Sequence, residues 1–216
     1  MPHIPLSDTE SIPVLSFREA METISETVYN REKWLYVPDA YDEYRYILGT
    51  RGNRPLICIG INPSTARPDA LDNTLKSVER IALANGYDSF LMMNVYAQRA
   101  TDPKHMEKAE NEFLHRENLE AFRYVLSLGG ETPAVWAAWG TIVKARPYLI
   151  DCMMDFVRIG EQQHALWYTA GARSKNGGHP HHPLYLRKDA ALDPFDPIPY
   201  IAGLRENSRT GKGKKT

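Results

Sequence analysis

The stretch "LICIGINPSTARPDALDNT", residues 56–74, determines the fold that the chain can adopt. Its first six residues form a continuous apolar run, which is typical of a strand buried on both faces of a sheet. The run ends at Asn62-Pro63, because proline donates no backbone hydrogen bond and cannot continue a central strand. A helical apolar stripe follows at Leu75, Val78, Ile81 and Ala82. A buried strand that turns directly into an amphipathic helix predicts the first half of a βαβ unit.

The same alternation continues along the chain. Buried strands are predicted at 56–61, 89–95, 134–139 and 165–170, helices at 73–85, 107–128 and 141–154, and a further strand at 44–49. Apolar strands joined by helices are typical of parallel sheets with both faces covered. The pattern therefore predicts an α/β fold, a three-layer α/β/α arrangement around a central, mainly parallel four-stranded sheet.

Three regions are expected. Residues 1–43 form an N-terminal helical extension with a helix at 16–35, and residues 44–190 form the α/β domain. Residues 191–216 form a Pro-rich end with a basic, flexible tail at 205–216.

Composition narrows the class of protein. The 216 residues are 43% hydrophobic and 25% charged, which is typical of a globular domain. The net charge of −1 predicts no strong overall attraction to nucleic acid. No apolar run is long enough to cross a bilayer and no signal peptide is recognised, so we expect a cytoplasmic monomer away from membranes. Only Cys58 and Cys152 are present, too few for a four-cysteine iron–sulfur cluster, and no other cofactor is expected.

Polar residues follow the predicted strands. Parallel strands place their carboxyl ends along one edge of the sheet, where α/β proteins bind ligands. Asn62, Asn94, Trp139-Gly140 and the loop "NGGHPHHPLYL" at 176–186 should therefore converge on one crevice. Each has a plainer interpretation as well. Asn62 could only end the strand, Asn94 could be a buried amide, and Trp139 could fill the core.

Two further candidates have two interpretations each. Asp72 could cap the helix at 73–85 or could contribute to the site. His179, His181 and His182 have spacing that can chelate a metal, but no carboxylate or cysteine partner is evident, so no metal is expected.

The motifs resemble those of the uracil-DNA glycosylase superfamily, over about residues 55–190. Gly60-Ile61-Asn62-Pro63 resembles its G-[QI]-[DN]-P motif and is most similar to the branch that excises mismatched thymine and uracil. The other three matches, to the motifs L-L-L-N, L-W-G and H-P-S-P-L, are Leu91-Met92-Met93-Asn94, Ala138-Trp139-Gly140 and "HPHHPL" at 179–184. The resemblance implies a glycosylase-like fold for residues 44–190.

A second resemblance is to a bacterial family catalogued as a domain of unknown function. The shared pieces are "NPSTA" at 62–66, Asp72 with Thr74, Asn94, "RATDP" at 99–103, Trp139-Gly140 and "GHPHHPLYL" at 178–186. This resemblance indicates a family and implies no chemistry.

The glycosylase resemblance implies roles for individual residues. Asn62 would position the attacking water, because an amide can orient water but cannot take up a proton at neutral pH. His182 or His179 would donate a hydrogen bond to the departing base. Asn94 would bind the edge of a flipped base, with Tyr96 stacking on it and Asp72 beside it. The implied DNA contacts are Ser64, Arg99, Arg173 and Lys175.

The residues after Pro63 bear on the substrate. Uracil-specific enzymes place a crowding aromatic there, whereas this chain has the small Ser64 and Thr65. A roomier pocket would accept a bulky pyrimidine such as the glucosylated hydroxymethylcytosine of phage DNA, so the expected function is a defensive DNA glycosylase that leaves abasic sites. Two alternatives remain: a hydrolase of free modified nucleosides or nucleotides, and a non-catalytic nucleic-acid-binding module of the same fold.

Overall fold

The structure is a computed structural model that describes residues 1–175 and 177–211. The strands are β1 Trp34–Val37, β2 Ile47–Thr50, β3 Pro55–Gly60, β4 Ser89–Asn94, β5 Ala134–Ala137, β6 Leu166–Ala170 and β7 Leu192–Pro194. The α-helices are α1 Phe17–Glu22, α2 Asn73–Ala84, α3 Glu112–Leu128, α4 Leu149–Gln162 and α5 Pro197–Gly211.

One sheet contains all of these strands, in the order β1-β2-β4-β3-β5-β6-β7. The four strands β4, β3, β5 and β6 are parallel, as the sequence predicts. The expectation of a four-stranded sheet is wrong, because β2 pairs antiparallel with β4, β1 with β2, and β7 with β6. The strand predicted at 44–49 corresponds to β2, which is an antiparallel neighbour of β4.

The two faces of the sheet are covered by different helices. Ile57 and Ile59 belong to a core that contains α3 and α4, whereas Leu56 and Cys58 belong to a core that contains α2. Successive residues of a strand point to opposite faces, so β3 is apolar throughout because both faces are buried. The three-layer arrangement is confirmed.

The strand order reverses beside β3. The chain passes from β3 to β4 on one side through α2, and then to β5 on the other side of β3 through α3. A crevice opens where two consecutive connections leave in opposite directions, and ligands of doubly wound α/β proteins bind there. The carboxyl ends of β3 and β5 are therefore the place to look for a site.

Several predicted boundaries are wrong. The helix at 16–35 ends at Glu22, and its later apolar stripe is not a buried face, since Ile24 and Val28 are 77% and 95% exposed. Trp34 begins β1 instead. Residues 1–43 thus add a strand as well as a helix to the fold.

The C-terminal half contains two further corrections. The helix at 141–154 is a 3₁₀ helix, Gly140–Lys144, followed by α4 after Pro147, because proline restricts the residue before it and favours a helix start after it. The Pro-rich end forms β7 and α5. The flexible tail predicted from residue 205 is helical as far as Gly211, and residues 212–216 lie outside the described residues. No helix within the described ranges is long and apolar enough to span a membrane.

Candidate active site at the strand ends

A cavity of about 410 Å³ opens at the carboxyl ends of β3, β4 and β5. Its lining includes five of the residues predicted from the sequence: Asn62, Ser64, Asp72, Asn94 and His182. They come from four separate segments of the chain, and the order of the parallel strands brings them together. The predicted convergence at this edge is therefore found for these residues.

The orientation of Asn62 is fixed by the backbone. Its side-chain Nδ2 donates to the carbonyl oxygens of Ala100 at 2.7 Å and of Pro63 at 3.1 Å. Both amide hydrogens are used, so Oδ1 is the group left to accept a hydrogen bond, and it has no partner in the described part of the chain. Asn62 ends the strand and also presents a fixed acceptor to the cavity.

The residues "RATDP" hold the loop that carries Asn62. Arg99 donates to the carbonyl oxygens of Ser64 and Ala66 and to the Tyr36 hydroxyl. The hydroxyl groups of Thr101 and Ser64 share a hydrogen bond of 3.1 Å. Because Ala100 anchors the Asn62 amide itself, this motif acts as a scaffold for one side chain.

Asn94 is buried with both polar atoms unpaired. The residue is 1% exposed, and neither Nδ2 nor Oδ1 has a hydrogen-bond partner among the described residues. A Cβ atom at Gly60 would lie 3.0 Å from Oδ1, so glycine leaves room for this amide beside β3. Leaving buried polar groups unpaired destabilises a fold, and such a pair at a cavity wall indicates a place where the polar groups of a ligand bind.

His182 is a neutral donor. Its Nδ1 accepts a 3.4 Å hydrogen bond from the Leu184 backbone, which leaves the proton on Nε2. Burial lowers the pKa of His182, while the nearby Asp72 carboxylate acts in the opposite direction. Nε2–H is therefore available to donate to a group in the cavity at neutral pH.

Gly140 makes room for this histidine. Its φ is +66°, in the left-handed region, and a Cβ there would lie 3.2 Å from the Cβ of His182. The Trp139-Gly140 pair thus has two structural functions, since Trp139 is buried in the core and donates from Nε1 to the Tyr200 hydroxyl at 3.2 Å.

Asp72 caps α2, and its contribution to a site stays a prediction. Oδ1 accepts from the Leu75 backbone N–H at 2.9 Å and caps α2. The residue also lines the cavity. It is the acidic group whose charge acts on both His182 and the buried Arg45.

His179 lies away from this cavity. It is 5% exposed, and its Nδ1 lies 2.8 Å from the Tyr200 hydroxyl oxygen. It lines a separate cavity of about 360 Å³ with Arg173 and Tyr200. Of the two histidines predicted for the catalytic position, only His182 is brought to Asn62 and Asn94.

Tyr96 is not brought to the cavity. It is fully buried, donates to Glu107 and accepts from the Asn111 backbone at 2.8 Å. Burial raises its pKa above the usual range. Its ring packs against Tyr148 with centroids 4.9 Å apart, so the face predicted to stack on a base is already covered.

The four predicted DNA contacts fall in different environments. Arg99 is 0% exposed and cannot reach a phosphate on the surface, which corrects its predicted function. Ser64 lies at the cavity. Arg173 and Lys175 are exposed, and the Arg173 guanidinium lies 5.8 Å from the Phe195 ring centroid, outside the main cavity.

Among the described residues, one cluster could hold a metal ion, and it lies away from the strand-end cavity. The ligand atoms of Glu110, His115 and Cys152 lie within 4.8 Å of one another. None of these three residues lines the strand-end cavity. Burial raises the pKa of the Cys152 thiol, so the sulfur is protonated at neutral pH.

Arg45 is a cavity residue that the sequence did not reveal. It is 1% exposed and lines the cavity. It lies just before β2, the strand next to the edge strand β1, and belongs to none of the sequence motifs. The available signal was its place in "YRYILG", where a charged side chain interrupts an apolar strand.

Fold and cavity together define an α/β protein with a cavity at the carboxyl ends of its parallel strands. The chain belongs to the family described as "Protein of unknown function (DUF1643)", which matches residues 45–184. The matched range contains all the cavity residues described above, and the expected membership of a domain-of-unknown-function family is confirmed. No curated protein and no solved structure matches the chain. The relationship to uracil-DNA glycosylases stays a prediction.

Proposed function

We propose that the protein is a DNA glycosylase that hydrolyses the N-glycosidic bond of a modified pyrimidine and leaves an abasic site. The observation that carries the proposal is the convergence of Asn62, Asn94 and His182 on one cavity. The three side chains offer a fixed acceptor, an unpaired amide and a neutral donor. Those are the groups that this reaction uses.

Asn62 acts on the water. Breaking the glycosidic bond builds positive charge on the sugar, so water needs orientation more than deprotonation. The Oδ1 acceptor, held in place through Nδ2, orients one water hydrogen and directs the oxygen lone pair at the anomeric carbon.

His182 and Asn94 act on the base. Negative charge develops on the departing pyrimidine, and Nε2–H of His182 stabilises it by donation without first losing a proton. Asn94 offers a donor and an acceptor to the polar edge of the flipped base, which pairs both of its buried atoms.

The cavity size bears on the substrate. About 410 Å³ lies within the usual range for small-molecule sites, and it exceeds what an unsubstituted pyrimidine fills. The small side chains of Ser64 and Thr65 line it directly after Pro63, and Trp139 is also part of the lining. A 5-substituted base such as glucosylated hydroxymethylcytosine is the proposed substrate, and excision from phage DNA the proposed role.

The test uses three DNA duplexes of the same sequence, carrying unmodified cytosine, uracil or glucosylated hydroxymethylcytosine. Abasic sites are detected by alkaline strand cleavage after incubation with the wild-type protein. We expect cleavage of the modified duplex, and no cleavage with Asn62→Ala at equal protein concentration. Absence of base release from all three duplexes would refute the proposal.

A second candidate is a hydrolase of free modified nucleotides. The observation that favours it is the buried cation Arg45 in the cavity wall, where it could pair with a phosphate group. Incubation with the free nucleoside and nucleotide of the same modified base, followed by chromatography of the released base, separates the two. Release from the free nucleotide but not from duplex DNA would favour the second candidate.

A further inference from the structure

Arg45 is a buried residue that lines the same cavity as Asn94. Its backbone N–H donates to the Ala97 carbonyl at 2.9 Å, just beyond the antiparallel pairing of β2 with β4. It is 1% exposed and lines the cavity that Asn94 also lines. A cationic group thus forms part of the wall where the proposed base lies.

This guanidinium has few partners. Its one hydrogen bond among the described residues is from Nη1 to the Ala66 carbonyl, at a long 3.3 Å. Nε is buried without a partner in that part of the chain. No described carboxylate lies within ion-pair distance of Arg45, and the Asp72 carboxylate, which acts on it from farther away, already caps α2.

The neighbouring Arg99 provides a contrast. It donates to three acceptors and does not line the cavity, so its function is structural. Arg45 has one weak acceptor and faces the cavity. Burial together with the Arg99 charge lowers the pKa of Arg45 to about 9, which still leaves it charged at neutral pH.

We propose that Arg45 and Asn94, which both line this cavity, form an oxyanion subsite within it, and that the ligand supplies the compensating negative charge. Burying an unpaired charge is strongly unfavourable, and a ligand oxyanion beside it would pair the free N–H groups. The inference rests on the proposed function only in treating this cavity as the ligand site.

The anionic oxygen has two possible sources. In the glycosylase reaction it is a carbonyl oxygen of the departing pyrimidine, which carries part of the developing charge, and in a free nucleotide it belongs to the phosphate. Inorganic phosphate probes the shared chemistry. Comparing the binding of anionic 5-nitrouracil with that of neutral uracil tests whether the subsite recognises the base. Comparing thymidine monophosphate with thymidine tests whether it recognises the phosphate.

Binding is measured by isothermal titration calorimetry with the full chain. We expect phosphate to bind the wild type, Arg45→Gln to weaken it at least about tenfold, and Arg45→Lys to weaken it less. Arg54→Gln is the matched control, because Arg54 is exposed and precedes β3 at the opposite end of the sheet. Failure of every anionic probe to bind, or equal binding to Arg45→Gln, would overturn the inference.

A stability measurement separates this subsite from a structural function. Replacing an unpaired buried charge by an apolar group is often neutral or stabilising. Arg45→Met in phosphate-free buffer should therefore melt at or above the wild-type temperature and should lose the rise in Tm that phosphate causes in the wild type. A large loss of stability in Arg45→Met, with phosphate binding to Arg45→Gln undiminished, would show that Arg45 only supports the loop.

The proposed function and the anion subsite can be refuted separately. Arg45-dependent anion binding without base release from any DNA or nucleotide would refute the hydrolase and leave the subsite in place. Base release that is unaffected by Arg45→Gln, with no anion binding, would refute the subsite alone.

Discussion

Asn62 is held at its amide nitrogen and free at its amide oxygen, which makes its function testable by single substitutions. Asn62→Ala removes the acceptor for water, and we expect base release to fall by about a hundredfold or more while DNA affinity is retained. Single-turnover abasic-site assays and fluorescence anisotropy measure the two effects. Asn53→Ala, at an exposed turn before β3, is the control. Base release by Asn62→Ala at the wild-type rate would show that Asn62 does not position the water.

His182 gives a pH dependence with a defined sign. Its folded-state pKa is lowered from the ordinary value of 6.5 mainly by burial, so the native state binds fewer protons than the unfolded state below that pH. The stability that this contributes is complete above about pH 6.5 and decreases as the pH falls.

The fall in Tm from about pH 7.5 to about pH 5.5 should therefore be smaller in His182→Gln than in the wild type. Differential scanning calorimetry measures it, and His105→Gln, at an exposed position, is the control. An unchanged pH dependence in His182→Gln would contradict the prediction. His179 adds to the wild-type fall, because burial and Lys144 also lower its pKa.

The sequence motifs predicted which residues lie at the strand ends, but they did not predict how deeply each residue is buried. Asn62, Asn94 and His182 were predictable because each follows a recognisable strand or belongs to a loop motif, and strand ends meet at one edge. Tyr96 and Arg99 have the right chain positions, but both are fully buried and paired with the protein itself. Burial depends on packing between distant segments, which a single sequence does not display.

At the scale of the element, the loop 62–66 depends on Arg99. Arg99→Met leaves the Ser64 and Ala66 carbonyls and the Tyr36 hydroxyl without this donor, and we expect a loss of about 3 kcal/mol in the free energy of unfolding. Urea denaturation measures the loss. Arg123→Met on the exposed side of α3 should change it by less than about 0.5 kcal/mol. Equal effects at the two positions would show that Arg99 does not hold the loop.

The 3₁₀ turn after β5 depends on Gly140. Gly140→Ala imposes a left-handed conformation on an L-residue and should destabilise the fold by about 1–2 kcal/mol, while moving His182 and reducing base release. Gly203→Ala in α5 has open space around it and should instead stabilise by about 0.5–1 kcal/mol. Thermal unfolding measures the change in stability of each variant. A change of the same sign in both would be inconsistent with a strained turn at Gly140.

The central βαβ units were predictable because their strands are apolar throughout and their helices have a clear stripe. The outer elements were not. β1 is only four residues long and follows exposed apolar residues that imitate a helical stripe, and β7 contains Asp193 and Pro194. Short edge strands gain their stability from pairing with the sheet, so their own residues give a weak pattern.

At the scale of the whole molecule, a net charge of −1 means that the proposed DNA binding would rely on local cations. Arg173 and Lys175 are exposed candidates. Replacing both by Gln should weaken DNA binding and reduce the slope of log K against log salt by about one for each phosphate that is no longer neutralised. Anisotropy titrations at several salt concentrations measure the slope, and Arg51→Gln with Lys33→Gln, at two exposed positions, is the charge-matched control. Equal slopes for both double variants would place the DNA surface elsewhere.

The peptide bond between Asn62 and Pro63 also affects the chemical stability of the asparagine side chain. Asparagine deamidates when the backbone nitrogen of the next residue attacks its side-chain carbonyl and forms a succinimide. Proline has no N–H at that position, so this route is closed at Asn62. The two hydrogen bonds that Nδ2 donates also restrain rotation of the side-chain amide. A side chain that would become an aspartate by slow chemical damage is thereby kept as an amide over the lifetime of the molecule.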